Sequence, residues 1–295
     1  MTQTIAPTIT GDPAMAIRDI IVHIDSHAKD ESDKKRQGYA RSMARVLDAH
    51  LTGLAIAVEP VLPPMVMGEV PASVLDTQRE RLRSDAEDAL QQFAKAAEAD
   101  GLRFDTAMLN ALEASASQAF AIRSRTSDLA ILGQEQPEDG SPMRTLLIES
   151  ALFESGRPVL IVPYIGPDTF ELTSCLVAWD GSREAARSVH EALPLLERAH
   201  EVNILVVDTG QVAEDDAPGT SLAAHLARHD LDVTIKTVPA GGLDVASAIL
   251  SYVDDTRPDL VVMGGYGHSR LREFLMGGAT RGMLRSMTAP VLMAH

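Results

Sequence analysis

The stretch PDLVVMGGYGHSRLREFLMGGAT, residues 258–280, begins as a strand and ends as the start of a helix. Leu260 to Met263 are all apolar with no polar alternation, the pattern of a strand buried on both faces of a parallel sheet. Gly264, Gly265 and Gly267 then interrupt it, and Gly277 and Gly278 precede TRGMLRSM, which has a helical pattern. The same strand is written once before, as SDLAILG at 127–133, and an internal repeat of this kind organises the rest of the chain.

Working outward from that match, each half opens on a strand that ends in aspartate: RDIIVHID at Asp25 and SCLVAWD at Asp180. A second apolar run follows an Ala-His pair in both, AHLTGLAIAV from Ala49 and AHEVNILVV from Ala199. Third runs follow, TAMLNA and VTIKTVPA, and both halves close on a proline-led strand, RPVLIVP from Arg157 and APVLMA from Ala289. Such runs, alternating with amphipathic helical stretches, predict an α/β fold in which each half is a doubly wound parallel sheet with helices on both faces. The repeats are set at 17–164 and 172–295, joined through IGPDTFELTS, where Gly166 and Pro167 break the pattern. Extra chain in the first repeat is placed between Glu59 and Asp76, where Pro60, Pro63, Pro64 and Pro71 oppose a helix until the charged stretch from Asp76 begins. Its Met65, Val66 and Met67 are read as a loop over its own core, with a contact surface as the alternative.

Composition narrows the function. Of the 295 residues, 45% are hydrophobic and 4% aromatic, which suits helices on a parallel sheet. A formal charge of −16 opposes binding to nucleic acid or anionic membrane over most of the surface, so an anionic ligand requires a local exception. The glycine stretch supplies one: Arg270, Arg272, Arg281 and Arg285 face a single acid, Glu273. The matching stretch of the first repeat, GQEQPEDGSPMRT, sets Glu135, Glu138 and Asp139 against Arg144 and would repel phosphate, so one site per chain is expected. The leading MTQTIAPTITGDPAMA lacks the basic start and apolar core of a signal peptide, and no apolar run reaches the roughly 20 residues of a spanning helix. A cytoplasmic location is the expectation. Cys175, in LTSCLVAW, reads as a buried strand thiol.

Glycines let backbone amides approach a ligand closely, and a helix amino end adds unpaired N–H groups and a positive dipole. Placed beyond the carboxyl end of a parallel strand, they suit a phosphate chain. The familiar signatures are absent: there is no GxxxxGK[ST], and GYGHSR puts Arg270 where a dinucleotide fold needs a third small residue. His268 is a secondary candidate for a bond to phosphate. His225 and His229 share a helix face without a third nearby metal ligand, and HEALP fails the HExxH pattern because Pro194 stands in place of the second histidine and should bend or end its helix. His23 reads as core or strand end. No catalytic residue and no metal ligand is assigned.

Repeat and spacing together resemble the universal stress proteins in their tandem form, over nearly all of residues 17 to 295. The carriers are VVMGGYGHSRLREFLMGGAT, Asp180 and the terminal PVLMAH. The resemblance implies five parallel strands per repeat and, from the pattern GxxG, nine residues, then Gly with Ser or Thr, binding of ATP, accompanied by Mg2+. It places Asp180 on the adenine or ribose side, Ala178 and Val207 along the base, and Met263, Gly264, Gly267, Gly277, Gly278, Ala279 and Thr280 around ribose and phosphates. Gly278 stands where the pattern has Ser or Thr, a loss of roughly 1.5–3 kcal/mol for a hydroxyl bond to a charged group.

Asp180 has a second reading, in which it and Ser182 form a strand-to-helix turn with a cap. Asp25 is expected to be structural. The functional expectation is an adenine-nucleotide-binding stress protein that works through ligand-dependent protein contacts, with slow ATP hydrolysis at most. The alternative is a nucleotide-free interaction module. The resemblance also implies that the repeats pair through the edges at Val159 to Val162 and Val291 to Met293, with dimerisation of whole chains left open.

Overall fold

The computed structural model describes residues 16–26, 31–59, 71–135, 143–210, 219–267 and 278–295. The first repeat contains β1 (Asp19–Ile24), α1 (Glu31–Leu47), β2 (His50–Glu59), α2 (Ala72–Ala99), β3 (Phe104–Leu112), α3 (Glu113–Ser124), β4 (Leu129–Gly133), α4 (Met143–Glu154) and β5 (Val159–Val162). The second contains β6 (Ser174–Ala178), α5 (Arg183–Leu196), β7 (Glu201–Asp208), α6 (Thr220–Ala227), β8 (Val233–Pro239), α7 (Val245–Thr256), β9 (Leu260–Gly264), α8 (Gly278–Ser286) and β10 (Val291–Ala294).

All ten strands form one sheet in the order β3-β2-β1-β4-β5-β10-β9-β6-β7-β8. Within each repeat the pairing is parallel, whereas β5 meets β10 antiparallel with Val291 opposite Ile161. The two edges that the sequence leaves bare therefore cover each other. Successive strand residues point to opposite faces: Leu260 and Val262 enter one core with Val22, Cys175 and Leu292, while Val261 and Met263 enter the other with Ile21, Leu176 and Met293. Both cores run across the repeat junction. Helices α1, α2, α5 and α6 cover one face, and α3, α4, α7 and α8 the other.

One device is built twice and explains the aspartate of SDLAILG and PDLVVMG. Asp128 Oδ2 accepts the amides of Arg18 and Asp19, at 2.9 and 3.0 Å, and so fixes the entry of β1 beside β4. Asp259 Oδ2 does the same for Thr173 and Ser174, at 2.7 and 2.9 Å, beside β6. A carboxylate spanning two amides sets strand register before any side-chain packing is counted.

Two local expectations are corrected. Helix α2 starts at Ala72 rather than near Asp76, because Pro71 serves as its cap and proline is compatible with a helix start. Pro194 does not stop α5 at once: the helix runs to Leu196, and Glu197 closes it by donating to the carbonyl of Leu193. So near the carboxyl end, proline costs one backbone bond. Met65, Val66 and Met67 lie outside the described residues.

Candidate functional site

In the second repeat the chain leaves β6 for β7 on one side and later returns as β9 on the other. This is the switch point at which an open parallel sheet leaves a crevice beyond its strand ends. Ala178 pairs with Met263 in register, with Leu205 opposite on β7 and Val207 two residues further along it. Ala178, Val207 and Met263 are thus brought to one rim, packed on the same core.

The turn after β6 is closed by Asp180, whose Oδ1 accepts the Ser182 amide at 2.9 Å. Ser182 caps α5 by accepting the Ala185 amide at 3.1 Å. Asp180 is exposed, and the turn uses one of its carboxylate oxygens. The glycine turn lies over this helix start. A Cβ on Gly264 would stand 2.7 Å from Ala185 N and 3.0 Å from Glu184 C, a close approach that only glycine permits. A Cβ on Gly267 would lie 4.0 Å from Ser182 Oγ. Asp180, Ser182, Gly264, Gly267 and the amino end of α5 therefore converge.

Two features of this crevice are not legible in the sequence. Glu184 is 2% exposed, and its Oε2 lies 3.5 Å from the position of a Cβ on Gly267, so a carboxylate stands beside the glycine turn. Its Oε1 is bonded by the guanidinium of Arg183, itself exposed. In addition, the turn's amides are partly committed. Gly265 donates to the Ala294 carbonyl at 3.0 Å, and Tyr266 to Thr280 Oγ1 at 3.1 Å, while Gly267 N–H has no partner among the described residues. Thr280, 4% exposed, therefore braces the loop with the hydroxyl that the sequence reading turned toward a ligand. Gly278 and Ala279 open α8, and a Cβ on Gly278 would meet open space. His268, Arg270, Arg272, Glu273 and Gly277 lie outside the described residues.

The corresponding crevice of the first repeat is filled by its own ion pairs. Arg36, 1% exposed, pairs with Asp33, donates through Nε to the His23 carbonyl at 2.9 Å, and occupies the space into which a Cβ on Gly133 would project. Arg144 reaches Asp25 at 3.3 Å and the Gln134 carbonyl at 3.5 Å. His23, edge-on to Phe120 at 5.8 Å, has its pKa pushed down to about 4 by burial, with the Arg36 guanidinium adding to the effect. Asp25 thus serves the protein's own arginine.

Cys175 is fully buried in β6, and burial pushes its thiol up to about 12, so it has no thiolate chemistry at ordinary pH. His225 and His229 stack at 5.0 Å, and His229 lies 3.6 Å from Glu197; among the described residues no group of three His, Cys, Asp or Glu side chains could hold a metal. Also among the described residues, no helix is long and apolar enough to cross a membrane.

Comparison with solved structures defines the class of fold. The chain superposes on a universal stress protein from Archaeoglobus fulgidus with a TM-score of 0.71 at 17% identity, covering 94% of this chain and 97% of that one. A Pseudomonas aeruginosa protein matches with a TM-score of 0.54 at 18% identity over 95% and 94%. Sequence narrows this further: residues 172–295 match the Universal stress protein family model. A universal stress protein of Synechocystis is 28% identical over 142 residues, 46% of this chain and 46% of that protein, so the match spans about half the length of this curated relative. The second half of the chain, which holds the glycine turn, is thus the half with the family's sequence pattern.

Proposed function

We propose that the second repeat binds an adenine nucleotide, with ATP and Mg2+ as the expected form, and that binding changes the surface offered to a protein partner in a stress response. The first repeat is structural, and the chain acts in the cytoplasm. The observation that carries this reading is the convergence of the Asp180 turn, the amino end of α5 and the Gly264–Gly267 turn at the switch point of the sheet. Ala178 and Val207 would flank the base, Asp180 would meet the adenine or ribose side, and Met263 would lie at the ribose and phosphates. Phosphates would lie toward the Gly267 amide, the start of α5, Gly264, Gly278 and Ala279, with Gly277 and His268 as further candidates from the sequence pattern alone.

The role proposed is binding rather than turnover, because phosphoryl transfer needs a residue that positions water and the site assigns none. A nucleotide-free interaction module is the second reading. The buried Glu184 carboxylate and the committed amides of Gly265 and Tyr266 favour it. Mass spectrometry of small molecules released from the purified protein, paired with calorimetric titration of ATP and magnesium, separates the two. About one adenine nucleotide per chain, or saturable micromolar binding that Gly277→Glu removes while circular dichroism is unchanged, supports the first. No released nucleotide and no heat up to millimolar ATP establishes the second.

A further inference from the structure

The glycine turn of the second repeat is anchored to a helix of the first. Tyr266 has a φ of +54°, a left-handed conformation that side chains other than glycine adopt at a cost. What holds it there comes from two directions. Its amide is tied to Thr280 within the second repeat. Its side chain crosses the junction, where Oη donates to Glu149 Oε1 at 3.2 Å and the ring packs on Phe153 at 5.2 Å, both residues of α4. Phe153 also stacks edge-on against His295 at 4.6 Å, and His295 Nδ1 lies 3.1 Å from the carbonyl of Gly265. A Cβ on Gly265 would touch Leu152, again of α4, at 3.4 Å. Burial raises the Tyr266 hydroxyl pKa and the neighbouring Glu149 raises it further, so the phenol remains a hydrogen-bond donor.

We propose that Glu149 and Phe153 of the first repeat are positioning residues for the ligand loop of the second, so that the ligand site is incomplete without the first repeat. The inference rests on the nucleotide reading above. Tyr266 lies between Gly265, whose amide is committed, and Gly267, whose amide has no partner among the described residues; fixing Tyr266 in the left-handed region fixes the direction of the Gly267 N–H. Linkage is reciprocal: whatever α4 contributes to nucleotide affinity, bound nucleotide returns as a firmer hold of the loop on α4.

The test is calorimetric ATP affinity of the full-length chain and three variants: Glu149→Ala, Tyr266→Gly and both together. Glu149 is half-buried at the helix surface, and circular dichroism checks that each variant folds. Removing a carboxylate near an anion site should by Coulomb's law tighten binding. If Glu149 positions Tyr266, Glu149→Ala instead weakens ATP five- to tenfold, about 1 to 1.4 kcal/mol. Glycine takes positive φ unaided, so in the Tyr266→Gly background the same change should alter affinity less than twofold. As a second readout, ATP should slow hydrogen exchange in residues 143–154 of the wild type but not of Tyr266→Gly.

Wild-type binding that Glu149→Ala leaves unchanged or tightens overturns the positioning role and leaves the nucleotide reading standing. Equal weakening in both backgrounds assigns Glu149 a general structural role and also overturns it. No ATP binding by the wild type removes both.

Discussion

Replacing Arg36 by methionine tests the claim that the first repeat's crevice is closed by its own charges. Arg36 and Asp33 are 1% and 6% exposed, so the change strands a carboxylate in the interior. Asp33 would keep the Asp25 amide, at 3.2 Å, and the Gln37 side-chain amide, but lose the Arg36 guanidinium. The His23 carbonyl would lose the Nε donor at 2.9 Å. Breaking one side of a buried pair costs about 3–5 kcal/mol, whereas replacing both charges by apolar groups is often nearly neutral. At roughly 2–4 °C per kcal/mol for chains approaching this size, the single variant should melt on the order of 10 °C lower. Urea titration of Arg36→Met, Asp33→Leu and the double variant would measure this as a cycle. The double variant should recover at least half of what the worse single loses. ATP affinity should be unaffected, because the candidate site lies in the other repeat. A loss below about 1 kcal/mol for Arg36→Met, or a double variant that simply sums the singles, would refute the buried pair as the plug of this crevice.

The other predictions concern both repeats. His23 titrates near 6.5 when unfolded and near 4 when folded, so the unfolded state binds the extra proton between these values. Its contribution is complete above pH 6.5 and is lost as pH falls toward 4, by at most about 1.4 kcal/mol per pH unit; His23→Gln should flatten the stability profile in that window, and an unchanged slope would count against the assignment. Glu184→Gln removes a buried charge beside Gly267. With phosphates at this turn it should tighten ATP and tighten AMP by less, and equal or weaker binding in titration would place the phosphates elsewhere. Gly264→Ala would set a Cβ 2.7 Å from the backbone nitrogen of Ala185, where neither neighbour is a flexible side chain. It should cost about 1–3 kcal/mol in urea unfolding and abolish nucleotide binding, and a stable, binding-competent variant would contradict the close approach of β9 and α5.

The repeat made much of this architecture readable, because apolar runs at matched intervals are a local signal with a single layered solution. The apolar strand runs and the placing of Asp180 and Gly264 at strand ends follow from it, whereas five strands per repeat and the pairing of the terminal edges are implied by the resemblance. Local signals were less reliable where one residue type serves two purposes. Proline reads as a helix breaker at both Pro194 and Pro71, yet α5 runs on to Leu196 and α2 starts directly after Pro71. The resemblance places Thr280 at the phosphates, and the sequence does not show that its hydroxyl accepts the amide of Tyr266, fourteen residues earlier.

By itself, then, the sequence determined the fold class, the recurrence of strand motifs in the two halves and the asymmetry of charge between the two glycine-ended strands, and it offered a candidate place for a ligand. Those properties depend on periodicity and on residues close together along the chain. Only the tertiary structure decided that Glu184 is buried beside the glycine turn, that Arg36 fills the space opposite Gly133, and that Glu149 reaches Tyr266 across 117 positions. Each depends on which helix the sheet carries to which strand end, and hydrophobic patterning fixes which face a residue takes without fixing its neighbour on that face.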